Sequence, residues 1–209
     1  RNPVLNANGP IYGVDIGNDN LTIVDPATNA ARMVKIPTRD EGDWNFWAQE
    51  GFQAYRDFGE GPVWSAKSNP HNPMMDEHGR IWLTTQVRAA ANPTWCQDGS
   101  ENPYALYYPI RNAGRHTGYY DPATETFELI ETCFNTHHLQ FAEDEDDTIW
   151  YSDLGGAAVA GWFNTRVYDE TGDVDDERQL FIFDLGEACG APCLLAGPGG
   201  GAIDPLSEK

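Results

Sequence analysis

Two stretches of this 209-residue chain repeat one another, and that repeat limits the fold more than any other feature. His137-His138-Leu-Gln-Phe-Ala-Glu-Asp-Glu-Asp-Asp-Thr-Ile-Trp-Tyr-Ser-Asp153 reads as an antiparallel hairpin: two short apolar runs flank an acidic turn whose polar residues favour a solvated bend. His71-Asn-Pro-Met-Met-Asp-Glu-His-Gly-Arg-Ile-Trp-Leu-Thr-Thr85 is a second copy, with Gly79 supplying the turn and Ile81-Trp82 matching Ile149-Trp150. A hairpin brings its open ends together, so His137 and His138 are expected beside Asp153.

The rest of the chain fits around these hairpins. Ile11–Ile16, Leu21–Asp25 and Ala31–Ile36 read as strands, with Asp25-Pro-Ala-Thr28 as a type I turn. The same Asp-Pro-Ala-Thr recurs at 121–124, ahead of a strand over Phe127–Thr132. Further strands are expected at Gly161–Tyr168 and Leu180–Asp184, separated by an acidic loop, Asp169–Glu177. Two long aromatic-rich excursions, 40–69 and 89–114, interrupt the pattern. Once they are removed, the Asp-Pro-Ala-Thr turns and the hairpin histidines both return a unit of about 40 residues, the size of a four-stranded propeller blade.

The expected fold is therefore all-β: a β-propeller with about three four-stranded blades over residues 1–185, in preference to a sandwich. Residues 186–209 are a Gly/Pro-rich tail or connection. The first unit lacks its innermost strand. Closed propellers need 4–8 blades, so further blades are expected from additional sequence or another chain. Each hairpin histidine starts an innermost strand, and both excursions join at that same end. Together they define one rim, where the aromatic residues suit a polysaccharide or protein ligand.

The pattern His-x-x-x-x-Asp/Glu, Ile-Trp-[Leu/Tyr]-[Thr/Ser], then Tyr-Asp-Pro-Ala-Thr and a strand resembles the repeat of streptogramin-lyase-like propellers, within the wider SMP-30 and NHL group. The resemblance covers about residues 11–36, 69–88 and 116–155. It implies a magnesium-assisted elimination opening a cyclic ester, with a His as base and carboxylates holding the metal. His138 falls on the family's hairpin histidine and Asp153 on its carboxylate, here in Trp150-Tyr-Ser-Asp153. Thr85 stands at the corresponding carboxylate position of the other copy. Propellers of this group also include plain binding modules, so the fold does not carry the function with it.

Composition narrows the partners and the compartment. With 33 acidic against 13 basic residues, a net charge of −20 excludes nucleic acid and anionic membranes as natural partners. It suits a solvated secreted surface or divalent cations. No apolar run approaches the ~18–20 residues of a membrane span. Four cysteines allow three connectivities; Cys96–Cys133 and Cys189–Cys193 are favoured, which would place the chain outside the cytoplasm. The chain begins at Arg1 with no apolar leader, as a removed signal peptide or a truncation would each produce.

The candidate catalytic residues are His138 and Asp153, with His71 and His137 at the same end. Imidazole abstracts a proton beside a carbonyl, and a hard cation stabilises the enolate that results. Candidate metal ligands are Asp153 and an acidic ladder of Asp169, Asp173 and Asp175, spaced for calcium but lacking the glycine and final Glu of an EF-hand loop. The expected ion is Ca or Mg. Two functions follow: a secreted acidic binding or assembly module working through its aromatic rim, or a metal-assisted lyase or hydrolase using His138 and Asp153.

Overall fold

Strands of five to seven residues separated by tight turns account for most of the structure, a computed structural model that describes residues 4–39, 67–89, 93–97, 99–101, 105, 114–132, 134–153, 159–173 and 180–184. They form three antiparallel sheets in chain order. The first holds β1 (Ile11–Asp15), β2 (Asn20–Asp25) and β3 (Ala30–Lys35). The second holds β4 (His71–Met75), β5 (Ile81–Gln86), β6 (Arg115–Asp121) and β7 (Thr126–Ile130). The third holds β8 (Thr136–Phe141), β9 (Ile149–Asp153), β10 (Val159–Phe163) and β11 (Leu180–Asp184). The chain is thus all-β in character, with each strand paired to its sequence neighbour.

The repeat holds at the level of register. Trp82 faces Met74 across β4–β5, and Trp150 faces Gln140 across β8–β9, so each is on the second strand of its own sheet. The two Asp-Pro-Ala-Thr turns are the same structure. Asp25 and Asp121 each accept the N–H two residues on at 2.8 Å, and each turn ends on a residue with positive φ, Asn29 (53°) or Glu125 (58°). By that alignment β1 is equivalent to β5, so the first sheet lacks a counterpart of β4 among the described residues.

The sheets stack through apolar faces on both sides of the middle one. Along β5, Ile81 and Leu83 pack with Leu21, Ile23, Ile36 and Tyr120, while the intervening Trp82 packs with Leu139, Phe141, Ile149 and Phe163. That double burial is why Ile81-Trp82-Leu83 reads as an unbroken apolar run; each such buried side chain contributes about 1.5–3 kcal/mol. Gly161 in β10 lies under the ring of Phe134, where a Cβ would come within 2.0 Å of ring carbon. Strand β4 lies against both β1 and β8, which sets the three sheets side by side in sequence order.

The expected strand over Gly161–Tyr168 is corrected. β10 stops at Phe163, and α1 (Thr165–Thr171) follows. Asn164 caps that helix by accepting the Val167 N–H at 3.0 Å, and Gly172 ends it with φ 66°. Asp169 and Glu170 are therefore helical, and the acidic loop begins only after Thr171. No helix among the described residues is long and apolar enough to cross a membrane.

Candidate functional site

The two hairpins deliver their histidines to one place by the same irregularity. In β4 the register shifts between His71 and Met74, and in β8 it shifts between Thr136 and Leu139; each shift inserts one extra residue. Consecutive residues of a regular strand point to opposite faces. The bulge removes that alternation, so the rings of His137 and His138 stack at 3.9 Å and 25°. His71 from the neighbouring sheet comes within 4.8 Å of His137 and 5.0 Å of His138, centroid to centroid.

The bulges also hold each other. Asn72, at φ 51°, accepts the Leu139 N–H at 2.6 Å. Thr84, paired with His71 across β4–β5, donates to the His137 carbonyl at 2.5 Å. Its hydroxyl in turn accepts from Arg115 at 3.0 Å. Arg115 is 1% exposed, donates also to the Asn69 carbonyl, and meets no carboxylate among the described residues. Its Nε has no partner among the described residues. Burial lowers its pKa to about 9, which leaves it a cation at neutral pH.

That cation shapes the imidazoles. Burial first, then the neighbouring His138, His71 and Arg115, push His137 down to about 4. Burial, Arg115 and His138 lower His71 as well. His137 is thus a neutral ring at physiological pH. Below about pH 6.5, the ordinary value for histidine, the unfolded chain takes up a proton that the folded chain refuses. The stability this group confers is therefore complete above pH 6.5 and lost as pH falls towards 4. Ring-resolved NMR should find the His137 midpoint well below histidine's ordinary value of about 6.5; a midpoint at that ordinary value would remove the electrostatic account.

Of the expected site residues, His71, His137 and His138 are brought together. Asp153 pairs through its backbone with Thr136, next to His137, which fits the expected closeness of the hairpin ends; its side chain lies outside the described residues. The acidic ladder is divided. Asp169 is in α1 with both oxygens on Arg80, at 2.6 and 3.0 Å, so a calcium ion there would have to displace a guanidinium. Asp173 is exposed beyond the helix, and Asp175 lies outside the described residues. Sequence reasoning passed over Asn72, Thr84 and Arg115. A buried Arg has the same letter as a surface one, and only the strand pairing shows where it goes.

Both excursions are rooted at the histidine end. Glu131, 7% exposed, binds Arg39, the last described residue before the first excursion, at 2.9 Å, and also Arg88 at the start of the second. Asp19 collects the N–H groups of Lys67, Ser68 and Asn69, where the first excursion returns. Residues 40–66 and most of 90–113, including the aromatic rim expected there, lie outside the described residues. Within the second, a 3-10 turn, Thr94–Cys96, ends on the buried Cys96. Cys133, Cys189 and Cys193 lie outside the described residues, so both expected pairings remain proposals.

The arrangement defines an all-β chain of consecutive antiparallel sheets with a three-histidine cluster at one end. No family model matches this chain, and no curated protein or solved structure is found to be similar to it.

Proposed function

We propose that the chain is a segment of a larger, exported β-propeller, related to the streptogramin-lyase-like group, that performs lyase- or hydrolase-type chemistry on a carbonyl substrate at its histidine end. The observation carrying this reading is that His71, His137 and His138 meet from two sheets through matched bulges. His137, held near 4, is too weak a base for proton abstraction at neutrality. His138, the exposed ring of the three, is the group placed to take a proton from substrate. Asp153, at the adjoining backbone position, is the proposed carboxylate partner.

Closure into a propeller rests on the side-by-side first strands β4 and β8 and on the unfilled position before β1. The outer face of the first sheet carries Ile11 and Met33, 62% and 65% exposed, as a face awaiting another sheet would. Further blades, from additional sequence or a second chain, are the proposed partners there. Export rests on the Cys96–Cys133 and Cys189–Cys193 pairings, which peptide mapping without reductant reads directly.

A binding or assembly role is favoured by a different observation: Glu131 and Asp19 anchor the ends of the excursions at the histidine end. That rim would receive a polysaccharide or protein. One experiment separates the two roles. The purified chain is incubated with cyclic and linear esters and the products weighed: elimination opens a ring at unchanged mass, whereas hydrolysis adds one water. His138→Ala should reduce turnover by roughly 10²–10⁴-fold. No turnover, together with polysaccharide retention unaffected by His138→Ala, would replace the catalytic reading with the binding one.

A further inference from the structure

The nitrogens of the three histidines are not used by the fold. One ring nitrogen from each of His71, His137 and His138 lies within 4.8 Å of the other two. Among the described residues no hydrogen bond engages any of them, and the buried Nδ1 of His71 has no partner. A buried imidazole nitrogen left unpaired costs free energy. Two bulges, Asn72 at positive φ and the Thr84 hydroxyl are nevertheless arranged so that this convergence persists. An ion held tetrahedrally at ~2.0–2.1 Å needs its nitrogens about 3.4 Å apart, within reach of modest ring rotations.

We infer that His71, His137 and His138 form a three-imidazole centre for a borderline divalent ion of the zinc class, its remaining position open to water or a substrate oxygen. The donor set decides the metal. Calcium and magnesium take six or more oxygens, mostly carboxylate, carbonyl and water. Three imidazoles suit Zn, Co, Ni or Cu, so this centre differs from the Ca or Mg expected from the acidic residues. Three protein ligands with a vacant fourth position are the arrangement of a catalytic ion. Arg115 makes the surroundings cationic and so favours an anionic oxygen, hydroxide or carboxylate, as the fourth ligand. When bound, such an ion acts as a Lewis acid towards a substrate carbonyl, and His138, its lone pair then on the ion, serves as ligand in place of the free base of the metal-free chemistry.

The inference rests on the proposed histidine-end function for its biological use, but its test does not. The untagged 209-residue chain, purified without metal-affinity resin and stripped with chelator, is titrated with Zn²⁺ against a chromophoric competitor and with Co²⁺ in the visible range. The expected result is one ion per chain, with Co²⁺ bands of tetrahedral intensity and no comparable uptake of Mg²⁺. His138→Ala, which removes an exposed ring, should weaken binding by roughly 100-fold or more with unchanged circular dichroism. His78→Ala, at the far turn of β4–β5, should leave it unaltered. Zinc uptake that survives the His137→Ala/His138→Ala double variant, or is absent from the wild type, overturns the centre. Zinc bound with no turnover of any ester leaves the centre standing and removes the catalytic reading; turnover surviving complete metal removal, with no zinc taken up on re-addition, keeps the catalytic reading and removes the centre.

Discussion

Asp76→Asn should cost about 3–5 kcal/mol of folding stability, the range for removing one partner of a buried charge pair, although it changes one atom. Asp76 is fully buried at the foot of the β4–β5 hairpin. Oδ1 accepts the N–H groups of His78 and Arg80 at 2.9 and 2.8 Å. Oδ2 accepts Arg80 Nε at 2.5 Å and the indole N–H of Trp82 at 2.8 Å. All four contacts are donors, so an amide must turn its own NH2 against two of them whichever way it flips. The loss spreads, because Arg80 also holds Asp169 of α1 and lies over Trp82 and Tyr119 at 5.4 and 4.8 Å. Asp169→Asn, at an exposed carboxylate, should cost far less, no more than about 1 kcal/mol. Urea unfolding followed by tryptophan fluorescence measures both. Equal midpoints for the two variants would show that Arg80 is held by its aromatic neighbours and not by Asp76. The histidine cluster lies at the other end of the hairpin, so zinc uptake by the folded fraction should be unchanged.

Much of this architecture was legible because the repeat is written in turns. Asp-Pro-Ala-Thr fixes a backbone path through proline's φ and the Asp side chain, and the two copies adopt the same hydrogen bonds. The hairpin repeat reaches further than its letters suggest. Asp76 bonds the Arg80 N–H as Asp144 bonds that of Thr148, with Gly79 and Asp147 both at positive φ. The turn over Glu143–Asp147, which reads from sequence as a merely soluble bend, is also a docking point: Asp147 accepts the Glu77 N–H, and Asp146 binds Arg166 and Asn164.

Helix α1 was missed because seven residues give too short a window for a helical period, and its Asn164 cap and Gly172 stop were passed over. The meeting of His71 with His137 and His138 was legible only as a shared end of two hairpins. Their closeness depends on bulges, which belong to strand pairing and leave no mark in either strand alone. Asp19 lies in Gly17-Asn-Asp-Asn20, where it looks like any solvated turn residue until the chain 48 residues on folds back to it.

Asp19→Ala should be about as damaging to stability as Asp76→Asn, on the order of 3–5 kcal/mol, and it should also disturb the site. Asp19 is 2% exposed and sits at φ 56°, a conformation Asp tolerates and Ala does not favour. Its Oδ1 accepts the Ser68 N–H at 2.9 Å, the Ser68 hydroxyl at 2.8 Å and the Asn69 N–H at 3.2 Å; Oδ2 accepts the Lys67 N–H at 2.6 Å. Truncation leaves three successive backbone donors without their acceptor, at about 1–3 kcal/mol for each one that water does not reach. Those residues are the approach to His71. Ser68 receives the Gln86 N–H on its carbonyl at 2.6 Å, and the Asn69 carbonyl is one of the acceptors of buried Arg115. Arg115 then steadies Thr84, which holds the His137 carbonyl. Asp19 is thus joined through Asn69, Arg115 and Thr84 to a cluster in two other sheets. Asp19→Asn, keeping the backbone conformation and one acceptor oxygen, should fall between wild type and Ala. Lys35→Ala should cost no more than about 1 kcal/mol, since that side chain is 64% exposed and 3.5 Å away. Amide hydrogen exchange at 67–69 and zinc affinity of the folded fraction supply the decisive comparison. If Asp19→Ala destabilises the chain while those amides stay protected and zinc binds as before, Asp19 stabilises the first sheet alone, and the histidine end is positioned by its bulges without help from it.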